Sequence, residues 1–189
     1  MKKGQTSLSR ARKALLVSDS IIVPDLEDAR ELFNEFYGKP LGREKPKPGE
    51  VNEPLILDPI EAVYLAEKGV ISVVSYSGEP VSLEELRSWA RRRVARFDLL
   101  YPAYKALRDL GLVVRPGLKF GGDFTVYRRG PGIDHSLFVV HALPWDEKRD
   151  PVELVKAGRL SHSVRKTFVL ASIEPSGETS FLMFKWYRP

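Results

Sequence analysis

Four helix-start signals do more than anything else to fix what this chain can fold into, because each commits a short stretch to a helix and leaves little room between them. Asp25, with Asp28 three residues on, opens a helix carrying Ala29, Leu32, Phe33 and Phe36. Asp58-Pro59-Ile60-Glu61 combines an N-cap, a proline at the first helical position and a glutamate at the third, and Gly69 closes that helix. Ser82 and Glu85 form another capping box, followed by Leu86, Ala90, Val94 and Phe97 on one face. Asp150-Pro151-Val152-Glu153 starts a helix running to about Arg165, and a shorter one, about Tyr101 to Leu110, stops at Gly111. Strand-like runs lie between: Ile21 to Val23, Leu55 to Leu57 and Ile71 to Tyr76.

After Gly111 the period changes. Leu112 to Val114, Phe124 to Tyr127 and Ser136 to Ala142 read as strands separated by Arg115-Pro116-Gly117 and Arg129-Gly130-Pro131-Gly132 turns. Phe168 to Ile173 and Ser180 to Trp186 add two more, joined at Pro175-Ser176-Gly177. Both halves mix helix and strand, so the expected class is α+β. A small N-terminal αβ domain, residues 1–98, is followed by a C-terminal domain with a mixed sheet, residues 99–189. At 189 residues the chain has room for two such units.

Charge is unevenly spread. Residues 1–18 carry Lys2, Lys3, Arg10, Arg12 and Lys13 and no acid; residues 19–98 sum to −5, and residues 99–189 to +5. A basic half joined to an acidic one fits a chain that binds a polyanion through one of them. The basic start has only the short apolar run Ala14 to Val17, too little for a secretory core, and reads as the entry to the first domain. The longest uncharged apolar stretch, His135 to Trp145, falls far short of the ~20 residues a membrane helix needs. With no cysteine, disulfides, thiolate zinc sites and a cysteine nucleophile are excluded. A soluble, cytoplasmic protein is expected.

One segment resists both helix and central strand: residues 38–54, which hold Pro40, Pro46, Pro48 and Pro54 together with Gly38, Gly42 and Gly49. Its cations are Lys39, Arg43, Lys45 and Lys47. It reads either as a surface loop or as a basic arm whose Lys45 or Lys47 touches phosphate.

Metal and cofactor motifs are lacking. The three histidines, His135, His141 and His162, form no metal-binding pair, and the glycines of 117–122 match no nucleotide fingerprint. Ser161 and Ser163 lack a hydrolase elbow. No metal and no cofactor is expected. Tyr127, at the end of a strand in which Asp123, Thr125 and Tyr127 alternate with Phe124 and Val126, would point away from the apolar face. His135 follows a tight turn, and Arg159, His162 and Lys166 share one helix face. A tyrosine, a histidine and a lysine make chemical sense for RNA cleavage by its own 2′-hydroxyl. That reaction needs a base, an acid for the leaving 5′-oxygen, and positive charge for the phosphorane oxygens.

The run YPAYKALRDLGLVVRPGLKFGGDFTVYRRG, residues 101–130, then His135-Ser136 and RLSHSVRK, residues 159–166, resembles the archaeal tRNA-splicing endonucleases. A weaker likeness runs through LILDPIEAVYLAEKGVISVV and SLEELRSWA in the first half. The resemblance implies a metal-independent endonuclease with a nuclease-like C-terminal domain. It would cut precursor tRNA at bulge-helix-bulge sites and leave 2′,3′-cyclic phosphate and 5′-hydroxyl ends. Tyr127 then matches the general base, His135 the general acid and Lys166 the transition-state stabiliser. Arg159 matches an arginine that clamps a bulge nucleotide, with Lys185 or Trp186 as its partner. The 38–54 segment resembles an insertion of crenarchaeal members. This implies a heterotetramer of two catalytic and two structural subunits rather than a homo-oligomer, with contacts through Phe181 to Tyr187 and Asp146-Glu147. The competing readings are a metal-dependent nuclease, which would want carboxylates clustered with Asp123, and a non-catalytic RNA-binding or structural subunit.

Overall fold

The computed structural model describes residues 11–43, 49–152, 154–155, 158–159 and 166–184. The chain divides into two compact units, Met1–Ala95 and Arg96–Pro189. Each is an α+β unit with a mixed five-stranded sheet. Among the described residues no helix is long and apolar enough to cross a membrane.

The first unit runs β1 (Arg12–Val17), β2 (Ser20–Val23), α1 (Leu26–Asn34), β3 (Lys39–Pro40), β4 (Leu55–Leu57), α2 (Pro59–Glu67), β5 (Ile71–Ser75) and α3 (Leu83–Arg93). Its sheet has the order β3-β4-β2-β1-β5, antiparallel except where β1 runs parallel to β5. The basic start is thus a sheet strand: Ala14 is fully buried, while Arg12 reaches Glu31 at 2.5 Å and Asp28 at 3.6 Å. Charge on a strand between two neighbours is tolerated because acids of α1 meet it.

Both capping boxes form. The Asp58 carboxylate accepts from the Ile60 amide and the Ser82 hydroxyl from the Glu85 amide, with Glu61 and Glu85 reaching back to the cap residues. Glu61, 5% exposed, has a second duty: its Oε2 also accepts from the Gly38 amide at 2.9 Å. A carboxylate can be buried there because amides at 38 and 58 satisfy it. Gly38 has φ +65°, and a β-carbon would sit 2.6 Å from Leu55 Cγ, so only glycine fits. Beyond Gly38 both shoulders of the proline-rich segment are tied down. Leu41 donates to the Pro54 carbonyl, Arg43 to the Glu50 carbonyl and Arg30 to Asn52, and Val51 is fully buried. The tip with Lys45 and Lys47 lies outside the described residues.

The α1 helix ends at Asn34, short of the expected Phe36, which instead adopts φ +65°. The helix opened by Ser82 ends at Arg93 rather than continuing through Phe97: Val94 is extended and Arg96 left-handed.

The second unit starts with α4 (Phe97–Asp109) and continues with β6 (Val113–Pro116), a 3-10 turn (Leu118–Phe120), β7 (Phe124–Tyr127), β8 (Phe138–Pro144), β9 (Thr167–Ile173) and β10 (Thr179–Phe184). Residues 151–152, 154–155 and 158–159 are helical, and the Asp150 carboxylate caps this stretch through the Val152 amide. The sheet order β10-β9-β8-β7-β6 follows the chain, and β8–β9 is its one parallel pair. Arg115 and Pro116, expected in a turn, belong to β6; an edge strand accommodates a proline. The α4 helix covers the face bearing Phe124, with Tyr104 and Phe124 rings 5.9 Å apart. On the other face Leu143, Phe168 and Leu170 cluster with Leu154 of the helical stretch.

The side chains of β7 alternate between faces, but both faces are buried: Phe124, Thr125 and Val126 are all shielded from solvent. Thr125 is satisfied within the sheet, its hydroxyl lying 3.4 Å from the carbonyls of Arg115 and Pro116.

Candidate active site

The strand register of the second unit sets Tyr127 and Lys166 at one end of its sheet. Val126 pairs with Phe138 across β7–β8, and Phe138 with Thr167 across β8–β9. Tyr127 directly follows Val126 and Lys166 directly precedes Thr167, so both stand at the same end of the sheet. Between them Leu137 N–H donates to the Val126 carbonyl at 2.7 Å and accepts, through its carbonyl, from Thr167 N–H at 3.1 Å. Two strand spacings separate the backbones of Tyr127 and Lys166, roughly 10 Å. Thr125, Val139 and Phe168 are paired on one face, and Tyr127, two residues after Thr125, and Lys166, two before Phe168, fall on that face by strand alternation. His135 stands two residues before Leu137 and reaches the same sheet end. Tyr127 and Lys166 are half-buried and His135 is exposed.

The turn delivering His135 is held by its neighbour. Asp134 accepts from the Arg129 amide at 3.0 Å and the Gly130 amide at 2.9 Å, with a bridge between Pro131 and Asp134. Desolvation pushes the Asp134 carboxyl up, but the amides of Arg129, Gly130 and Arg128 and the Arg129 charge hold it below the ordinary aspartate range. Arg128 and Arg129 are themselves exposed beside Tyr127. Cations thus ring the sheet end, as phosphate binding requires.

The sequence reading missed a second cluster, centred on Asp123. Asp123 receives Arg96 Nη1 at 3.0 Å, His141 Nδ1 at 3.0 Å and the Ala142 amide at 2.8 Å, while Arg96 also donates to the Ala142 carbonyl. Burial raises the Asp123 carboxyl. The hydrogen bonds from His141 and Ala142 and the charges of His141 and Arg96 outweigh it and hold the group below its ordinary value. Both carboxylate oxygens are therefore engaged in fastening the 117–123 loop to β8. Among the described residues no group of three histidines or carboxylates is placed to hold a metal ion. Only the sequence GGDF hinted at this cluster; its partners, at 96 and 141–142, become neighbours through sheet register alone.

Arg159 is helical and exposed. His162, Lys185 and Trp186 lie outside the described residues, as do Lys45 and Lys47. Asp146 and Glu147 are exposed, with Glu147 paired to Arg149 at 2.6 Å.

Comparison with known proteins supplies the class to which this domain belongs. Residues 97–181 match the family model of the tRNA intron endonuclease catalytic C-terminal domain, and residues 12–87 that of its N-terminal domain. The tRNA-splicing endonuclease of Hyperthermus butylicus is 46% identical over 179 residues, 94% of this chain and 99% of that one. Those of Saccharolobus islandicus and Saccharolobus solfataricus are each 43% identical over 93% of this chain and 98% of theirs. This chain belongs to the tRNA-splicing endonuclease family, with its archaeal members, and is an enzyme of that family.

Proposed function

We propose that this enzyme excises introns from precursor tRNA by cutting at bulge-helix-bulge splice sites without a metal ion. Tyr127 takes the proton from the 2′-hydroxyl next to the scissile phosphate, and the freed oxygen attacks phosphorus. His135 protonates the 5′-oxygen as the P–O5′ bond breaks, leaving a 2′,3′-cyclic phosphate and a 5′-hydroxyl. Lys166 meets the negative charge that builds on the non-bridging oxygens. Arg159 stacks on a bulge nucleotide, with Lys185 or Trp186 as the other side of the clamp. Lys45 and Lys47 contact substrate phosphate. The single observation that carries this reading is that Tyr127 and Lys166 stand on one face at one end of the sheet, with His135 in the segment leading into β8. That end gathers a base, an acid and a cation from three chain segments.

The assembly belongs to the same proposal: two copies of this chain with two of a structural subunit. Support comes from β10, an edge strand whose Leu182, Met183 and Phe184 are exposed. An apolar edge of this kind calls for a paired neighbour.

The test is cleavage of a bulge-helix-bulge RNA in chelator, by this chain alone and with its structural subunit, with product ends analysed. Cyclic phosphate ends are expected. Loss of cleavage in chelator, or 3′-hydroxyl ends, refutes the mechanism.

A further inference from the structure

We infer that Phe120 is a positioning residue for Lys166: its ring face holds the ammonium group where the reacting phosphate comes to lie. The inference rests on the reading of Lys166 given above and adds a residue to it. The Lys166 Nζ stands 4.6 Å from the centroid of the Phe120 ring, within the range of a cation–π contact. Lysine has a flexible four-carbon stem, so an anchored backbone does not by itself place its charge. Thr167 fixes the backbone through its bond to Leu137, and the ring supplies the missing constraint at the other end of the side chain.

The ring can do this only if its own turn is rigid, and the 117–123 loop is fastened at several points. Gly117 N–H donates to the Asp123 carbonyl at 2.8 Å, and Asp123 N–H to the Val140 carbonyl at 2.9 Å. Gly122 lies so close to the sheet that a β-carbon would meet Val139 Cγ1 at 2.5 Å. The Asp123 carboxylate then ties the loop to His141, the Ala142 amide and Arg96. Val139 shares its face with Tyr127 and Lys166, so the loop carries Phe120 over the face on which Lys166 stands. The Asp123 cluster thus acts on Lys166 through the loop and the ring, without itself touching substrate.

The test compares Phe120→Leu, which keeps an apolar side chain and removes the π face, with Phe120→Tyr, which keeps it. Single-turnover cleavage of bulge-helix-bulge RNA by the assembled enzyme is expected to slow about tenfold in F120L. RNA affinity should be unchanged, and F120Y should stay within about twofold of wild type. In a K166A background F120L is expected to have no further effect. Independently of activity, lysine-labelled NMR of the full chain should show the Lys166 methylene protons shifted upfield by the ring. That shift should be lost in F120L and kept in F120Y. It is read in the wild-type chain too, so an F120L protein that folds poorly leaves the contact testable. Equal slowing by F120L in the presence and absence of Lys166, or a wild-type chain without the ring shift, overturns the inference. A dead K166A with a fully active F120L also overturns it while sparing the reading of Lys166. A K166A enzyme that cleaves at the wild-type rate overturns both.

Discussion

The two halves of this chain are built alike and end differently. Each holds a five-stranded sheet with one parallel pair. In the first, the acid at the start of α2 is consumed by structure: Glu61 closes a capping box and pins Gly38. In the second, the acids do the fastening from behind, and a tyrosine, a histidine and a lysine are left at the sheet end. The lesson is that the two halves share a fold class and a five-stranded sheet, not a strand order, and that the proposed chemistry falls in one of them. On the proposed reading it resides in the side chains gathered at one sheet end.

That contrast can be broken or sharpened by mutation. The largest effect is expected from His135→Ala: cleavage should fall at least ~10²-fold with RNA binding nearly intact, measured by single-turnover kinetics beside a binding titration. An unchanged rate would erase the functional difference between the halves. Gly38→Ala should act oppositely, costing about 2 kcal/mol of stability through its positive φ and the Leu55 clash. Chemical denaturation reads that loss, and the cleavage rate per folded molecule should not change.

Asp123→Asn is expected to cost about 1.5 kcal/mol at neutral pH, since it weakens the charged contacts to Arg96 and His141. The Asp123 carboxyl is lowered in the folded chain, so its contribution is fully present above the ordinary aspartate range and fades as pH falls through the lowered value. Wild type and variant should therefore converge in stability in acid, as followed by denaturation at a series of pH values. The smallest effect is expected for Asp58→Ala, about 1 kcal/mol for a lost N-cap, read from the same denaturation curves.

What could be read from sequence divides along physical lines. The capping boxes at Asp58/Glu61 and Ser82/Glu85 were legible because their contacts span three residues. The α+β character of both halves followed from the alternation of such helices with short apolar runs. β1 was not legible: Arg12 and Lys13 hide it, and the acids that accept Arg12 lie on α1. The corner at Arg96 was also hidden, since its left-handed backbone occurs at a residue that rarely adopts it. Tyr127, His135 and Lys166 were singled out through chemistry and resemblance. Their meeting depends on register across β7, β8 and β9, which no local pattern encodes. The Phe120 contact and the Asp123 cluster are of the same non-local kind.

The parallel pairing of β8 with β9 has a kinetic consequence. Antiparallel neighbours in this sheet are joined locally, but the β8–β9 ladder needs the whole excursion from Pro144 to Thr167 to return before its first bond forms. Closing such a loop spends chain entropy before any contact rewards it, so this ladder is expected among the later events of folding. Lys166 precedes the first residue of β9, so it arrives with that closure. On the proposed role of Lys166, a nascent chain holding Tyr127 and His135 in place would still be inert toward RNA until this crossover had closed.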